Sequence, residues 1–305
     1  MKQLTAILAI TLLLASCNQY DKSKSGMPYK IKKGGSTAKL KQGQFLKFNI
    51  EYIVSTGNKD SVLNSSYGHI PAYMRYDTAQ AGKYNFTEVL NLASVGDKIE
   101  FTLSIDSLKN MGMIPDYNAI FKKGGAIKGR VDLLAAFDTE ELVRADVQKE
   151  EDAEKQKEIK ALEAYMNKKG IKAQKTPGGA FVEITNSGDA TLRADSGKQV
   201  SVMYRGYTEE GKEFDSNIGK PGATPLSLVI GSRSVIAGWE EGLRFFGKGG
   251  KGRILVPAML GYGQQAAGPN IPPYTNLIFD VEIVDITTPA PAAAPQPPAI
   301  AAPKK

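Results

Sequence analysis

Two hydrophobic periods sit side by side in the C-terminal half of this chain, and together they leave few folds open. At residues 277–286, Leu277, Phe279, Val281 and Ile283 take alternate positions, with Asp280 and Glu282 between them. That is the pattern of a half-buried strand. At residues 235–246, Ile236, Trp239, Leu243 and Phe246 recur instead at spacings of three and four, on one face of a helix. Glu240, Glu241 and Arg244 lie away from that face. Further strand signals fall at Val182 and at residues 200–204, 226–230 and 253–256. An α+β arrangement, with a twisted antiparallel sheet wrapped around one short helix, satisfies both periods.

The same stretch carries a series of short motifs. They are Tyr204-Arg205-Gly206-Tyr207, Gly211-Lys212-Glu213-Phe214-Asp215-Ser216, and Val235-Ile236-Ala237-Gly238-Trp239-Glu240-Glu241-Gly242. Leu260-Gly261-Tyr262-Gly263, Ile271-Pro272-Pro273 and Asn276-Leu277-Ile278-Phe279-Asp280-Val281-Glu282 follow. Singly, each has a bland reading. Trp239 and the other aromatics read as core, Asp215 as a turn residue, and Ile271-Pro272-Pro273 as a loop. In this order and spacing they resemble the FKBP-type peptidyl-prolyl cis-trans isomerases.

The resemblance implies a pocket between helix and sheet, shaped for a prolyl ring. Trp239 becomes its floor, and Tyr204, Phe214, Val235, Ile236 and Phe279 its walls. Leu226 stands where the family often has an aromatic. Tyr262 would offer its hydroxyl, and Ile236 its backbone N–H, to a substrate carbonyl. Asp215 is expected to be partly buried and to polarise the site or bond Tyr204. Residues 261–273 would cover the pocket, with Ile271 touching the ligand. The implied catalytic set is Tyr204, Phe214, Asp215, Trp239, Tyr262 and Phe279, with Leu226, Val235, Ile236 and Ile271 binding substrate. Such chemistry calls for no cofactor and no metal. The resemblance also implies a macrolide as a ligand of the same pocket.

A fainter copy of the pattern precedes this one. Phe45-Leu46-Lys47-Phe48-Asn49-Ile50-Glu51-Tyr52 alternates as residues 200–204 do, and residues 86–92 followed by 95–103 echo residues 239–245 followed by 249–256. The departures fall where chemistry is expected. Leu63-Asn64-Ser65 replaces Phe214-Asp215-Ser216, Phe86 takes the place of Trp239, and Gly129 falls where Phe279 would. Tyr52 reads as the counterpart of Tyr204. A degenerate FKBP-like domain over residues 36–137 is expected, structural or protein-binding rather than catalytic. The lone His69 lies in its polar loop.

Residues 138–170 join the copies. Their alternating acidic and basic residues, with Leu142, Val147, Ile159, Leu162 and Tyr165 near helical spacing, predict a charged helical linker. Its thin apolar stripe packs on one domain, or in the alternative forms a coiled-coil contact in a homodimer. The isomerase domain is expected at residues 171–287, and a Pro/Ala-rich disordered tail at 288–305.

At the other end, Lys2, an apolar run at residues 4–14 and Leu14-Ala15-Ser16-Cys17 resemble a lipoprotein signal peptide, residues 1–16. Cys17 is the site of lipidation, followed by a tether over residues 17–35. It is the single cysteine, which excludes an intrachain disulfide and a cysteine-based zinc site. The expected location is the bacterial envelope, lipid-anchored on the periplasmic face of the outer membrane.

Two other partners are excluded. The net charge of +7 comes from scattered lysines, with no basic stretch interleaved with aromatics, so no nucleic acid is expected. Gly242-Leu243-Arg244-Phe245-Phe246-Gly247-Lys248 nearly spells a phosphate loop, but Gly249 stands where Ser or Thr would ligate magnesium. No nucleotide is expected, and residues 247–252 read as a flexible turn. The reading is thus a prolyl isomerase acting on X-Pro segments of unfolded or partly folded envelope proteins. The alternative is a non-catalytic membrane-anchored polypeptide-binding or scaffold lipoprotein.

Overall fold

Alternation along the strands builds the two seven-stranded sheets of this protein. The computed structural model describes residues 20–56, 59–219 and 222–289; the expected signal segment, Cys17 and nearly all of the expected tail lie outside the described residues. The chain divides into two units, residues 1–150 and 151–305.

In the first unit β1 (Asp21–Lys22), β2 (Pro28–Lys32), β3 (Phe45–Thr56), β4 (Lys59–Ser65), β5 (Ala72–Arg75), β6 (Lys98–Ser104) and β7 (Ala126–Phe137) form one sheet. Its order is β1-β2-β6-β7-β3-β4, with β5 also on β3, and every pairing is antiparallel. Leu46, Phe48 and Val54 of β3 bury one face against Ile99 and Phe101 of β6 and Val131 and Leu133 of β7. The helix α1 (Ile105–Asn110) starts at Ser104, whose hydroxyl accepts the Ser107 N–H. Residues 86–92 form 3₁₀ turns rather than an α-helix. Seven residues gain little from α-helical cooperativity, and the tighter turns bury Phe86, Val89 and Leu90 as well.

The expected tether, residues 17–35, is in part sheet. Met27 and Tyr29 are buried in the first core while Lys32 faces water, so lysine-rich composition masks an alternating strand. Asp97 fastens the end of β2. It is fully buried, accepts the Gly34 and Ser94 N–H groups at 2.9 Å each, and pairs with Lys33 at 2.9 Å.

The helix α2 (Glu140–Lys169) contains the division between the units, after Glu150. Its first turns belong to the first unit, where Lys47 pairs with Asp146 at 2.7 Å and Glu150 at 2.6 Å.

The second unit contains β8 (Gln174–Lys175), β9 (Phe181–Asn186), β10 (Asp189–Arg193), β11 (Gln199–Thr208), β12 (Glu213–Ser216), β13 (Leu226–Val229), α3 (Ala237–Leu243), β14 (Gly247–Lys248), β15 (Lys251–Val256) and β16 (Leu277–Thr287). The main sheet runs β12-β11-β16-β15-β9-β8, with β13 also on β11. Strand for strand, this is the order of the first sheet read from β4. Residues 247–252 are not a free turn. Gly247 and Lys248 pair with β10, and a Cβ at Gly247 would stand 1.9 Å from the Asp189 carbonyl oxygen, so only glycine fits.

Both faces of this sheet are covered. Val200 and Val202 of β11, Ile254 and Val256 of β15 and alternate residues of β16 pack on Trp239, Leu243 and Phe246. Tyr207, Leu255, Ile278 and Phe181 point the other way and pack on Ile159, Leu162 and Met166 of α2. The helix α3 is shorter than the 235–246 expected, because Ile236 is extended and Phe246 has already turned toward β14. Gly238 and Gly242 let α3 lie against β15. A Cβ on either would come within 2.5 Å of Val256 or Ile254.

Candidate active site

The inner face of the second sheet and α3 enclose an aromatic cavity of about 440 Å³. Trp239 forms its floor at 3% exposed. Its ring centroid lies 5.3 Å from Tyr204 and 5.6 Å from Phe279, and Phe214 meets Phe279 edge-on at 5.6 Å. These are the tilted and T-shaped contacts that aromatic quadrupoles favour. Gly206 makes room for them. A Cβ there would lie 2.7 Å from the Phe214 ring and 2.9 Å from that of Phe279.

Each wall residue is positioned by a different element. Tyr204 sits on β11, where Asn217 accepts its backbone N–H at 2.6 Å and donates to the Val202 carbonyl at 3.1 Å. Its hydroxyl donates to Asp215 on β12. Burial first, and then this bond to a carboxylate, raise the Tyr204 pKa, so the phenol stays protonated. Val235 and Ile236 precede α3, Leu226 opens β13, and Tyr262, 44% exposed, stands at the mouth. Two carboxylates of α3 fasten its surroundings. Glu240 accepts the Arg233 N–H at 2.9 Å, and Glu241 accepts the Thr176 hydroxyl and the Gly178 N–H.

Nine of the ten residues expected at the pocket therefore line one cavity: Tyr204, Phe214, Asp215, Leu226, Val235, Ile236, Trp239, Tyr262 and Phe279. Ile271 does not. It is buried in the core, and its carbonyl accepts the Ala267 N–H at 2.9 Å, so it anchors the covering loop from below. Asp215 was expected partly buried and is exposed. It faces solvent on the edge strand β12, with Phe214 turned inward instead. Arg233 and Ser234 also line the cavity and carry no motif signal. Arg233 has φ 58°, a left-handed conformation that residue type does not announce. A larger concavity, about 660 Å³, is lined by Glu163, Met166, Asn167, Ile171, Lys172, Ala173 and Gln174 and offers no aromatic ring.

This set of residues can hold a prolyl ring out of water and present hydroxyl and amide donors at its rim. The comparisons with known proteins give the family. The profile of the family described as FKBP-type peptidyl-prolyl cis-trans isomerase matches residues 191–284. An FK506-binding protein of Neisseria meningitidis serogroup B is 38% identical over 109 residues, 36% of this chain and 97% of that protein. The chain belongs to the FKBP-type peptidyl-prolyl cis-trans isomerase family. Its reaction is the cis–trans isomerisation of X-Pro bonds in polypeptides. The isomerase is also 37% identical over 168 residues to FkpA of Escherichia coli, 54% of this chain and 58% of FkpA. The crystal structure of Escherichia coli FkpA aligns at 30% identity and TM-score 0.37, over 48% of this chain and 70% of the other.

The first unit has no tryptophan, Trp239 being the one in the sequence, and its buried Phe86 packs 5.5 Å from Phe48. Register places Ile50 opposite Val131 as Tyr204 lies opposite Val281, and Tyr52 opposite Gly129 as Gly206 lies opposite Phe279. Tyr52 therefore matches Gly206 and not Tyr204. The shift of two residues keeps the same face, which is why alternation alone misplaces it. The Phe101 ring of β6, 5.8 Å from Tyr52 and 6.0 Å from Phe86, fills the space above Gly129.

Proposed function

We propose that the cavity between α3 and the second sheet is the catalytic site, and that it works chiefly by withholding water. Rotation about a peptide bond meets a barrier of about 18–20 kcal/mol because resonance keeps the amide planar. At the top of that barrier resonance is lost and charge separation falls. An apolar enclosure therefore favours the twisted amide over the planar one. A thousandfold acceleration asks for about 4 kcal/mol, within reach of desolvation plus oriented hydrogen bonds.

In this reading Trp239 is the floor under the prolyl ring, and Tyr204, Phe214, Val235, Ile236 and Phe279 its walls. The Tyr262 hydroxyl and the Ile236 N–H receive substrate carbonyls. Asp215 holds the Tyr204 hydroxyl and transfers no proton. The nearly dry Trp239–Phe279 floor beneath an exposed Tyr262 is the observation that carries the assignment. The test is the cis-to-trans rate of a short X-Pro peptide with the full chain and its Trp239→Phe and Tyr262→Phe variants. Unchanged rates in both folded variants would remove the assignment.

We further place the enzyme in the bacterial envelope, anchored through Cys17, with unfolded or partly folded proteins as its substrates. The support is the signal-like sequence ahead of Cys17. Incorporation of labelled fatty acid by the wild type and its absence in Cys17→Ser is the expected result. Equal labelling would reject the anchor. The first unit is read as a degenerate relative of the second, keeping its strand order and lacking its pocket, with a polypeptide-binding or dimer-forming role. A macrolide is expected to compete with peptide at the Trp239 pocket alone.

A further inference from the structure

A single carboxylate reaches from α2 into the turn that carries the mouth of the pocket. Glu158 is 5% exposed, and its Oε2 accepts the Met259 N–H at 2.8 Å. Its other oxygen, Oε1, is buried with no hydrogen-bond partner among the described residues. A buried unpaired carboxylate oxygen is costly, and packing α2 on the sheet would need only an apolar residue at this position.

The turn it touches is the short 3₁₀ segment Ala258–Leu260. No side chain of its own caps that turn. Two side chains from elsewhere cap it instead. Asn276 accepts the Ala258 N–H at 3.0 Å, and Glu158 accepts the next N–H, that of Met259. Leu260 packs against the pocket core, and Tyr262 follows two residues later at the cavity mouth. The Gly261 and Gly263 N–H groups return to the Ala258 carbonyl at 2.8 Å each, so the direction of the Tyr262 segment is set by how Ala258–Leu260 is held.

We propose that Glu158 is a positioning residue for the isomerase: from α2 it fixes the Ala258–Leu260 turn and thereby the placement of Leu260 and Tyr262 at the pocket. The proposal rests on the assignment of the cavity above as the catalytic site. Glu158 lies well before residue 191, where the family match begins.

The electrostatic setting makes this contact titratable. Burial, opposed by the Met259 N–H and assisted by Glu154, pushes the Glu158 carboxyl up to about 7. Lys157 and Lys155 on α2 act the other way. From the turn side it meets the Met259 N–H, and Glu209 reaches the same turn at one remove, by accepting Asn276 Nδ2 at 3.1 Å. A charged carboxylate makes the stronger bond to an N–H, and a neutral acid the weaker.

The experiment measures kcat/KM for an X-Pro peptide against pH, with full-length wild type, Glu158→Gln and Glu158→Ala. Hydrogen exchange of the Met259 amide is followed in parallel. Wild type should lose about fivefold in kcat/KM as pH falls through the Glu158 titration. Glu158→Gln should be flat with pH, folded, and near the low-pH wild-type level. Glu158→Ala should fall further, with faster Met259 exchange. A Glu158→Gln enzyme that keeps the wild-type pH profile overturns the proposal, as does unchanged Met259 exchange in Glu158→Ala. If Glu158→Ala does not fold, the Gln variant still decides. Absence of peptide isomerisation in wild type at every pH would instead strike the catalytic-site assignment, and Met259 exchange would still report on the contact.

Discussion

The ring of Phe101 lies where a side chain at Gly129 would have to go, 2.0 Å from the Cβ that Gly129 lacks. In the second unit the equivalent pair is inverted: Phe279 carries the ring, and its partner on the neighbouring strand is Ile254. The aromatic ring thus sits on opposite strands of the two pairs. Gly129→Ala should destabilise the first unit by about 1–3 kcal/mol through overpacking. Phe101→Ala should cost about 3–5 kcal/mol through the cavity left behind. Neither should change the isomerase rate. Denaturant unfolding and a peptide assay on the same samples check both halves of the expectation.

A second prediction concerns the helix that carries Trp239. Gly242→Ala would drive a methyl group to within 2.5 Å of Ile254 and lift α3 from β15. A stability loss of about 1–3 kcal/mol is expected. Catalytic efficiency should drop as well, because the pocket floor rides on that helix. Wild-type kinetics in a destabilised Gly242→Ala protein would show that the floor tolerates the shift.

At the mouth, Tyr262→Phe removes one hydroxyl from a half-exposed position. We expect stability within about 0.5 kcal/mol of wild type and kcat/KM lowered about tenfold, the size of one hydrogen bond to the substrate. Tyr204→Phe should be milder, since its hydroxyl is engaged by Asp215.

The two units should respond to pH in opposite senses. In the first, burial opposes ionisation of Asp97, but the Gly34 N–H, Lys33 and the Ser94 N–H together hold its carboxyl below the usual range. A depressed folded pKa means stability present above the unfolded value and lost as pH falls through the folded one. In the second unit the Glu158 carboxyl is raised, from 4.5 to about 7. Its contribution is therefore full below the unfolded value and declines as pH rises toward neutrality. Unfolding of Glu158→Gln should lose that decline, and Asp97→Asn should lose the acid sensitivity. Thermal unfolding across pH in both variants reads out each sign separately.

How much of this was legible beforehand follows from the range of the interactions. The alternation in β16 exposes one face of the strand to reading, and the order of the aromatic motifs brings Tyr204, Phe214, Trp239 and Phe279 to one cavity. Ile278 is buried on the opposite face, because α2 covers it from far away in sequence. Arg233 carries no sequence signal, because no residue type but glycine advertises a left-handed backbone. Ile271 is buried in the core, and its sequence does not say so, because a loop residue can point at a ligand or at the core with the same sequence. Glu158 is invisible in a helix full of acidic residues, for its partner lies 101 residues away. Short-range periodicity is written in the chain; which of two faces meets a distant element is not.

The covering of both sheet faces bears on where this enzyme physically begins. The family profile covers residues 191–284, yet β8 and β9 lie ahead of that stretch inside the sheet, and α2 shields Phe181, Tyr207, Leu255 and Ile278. A fragment cut at residue 191 would lose two strands of the main sheet, β8 and β9, and bare an apolar surface to water, inviting self-association. The smallest piece able to live alone therefore reaches back into α2, ahead of the stretch that the family profile describes.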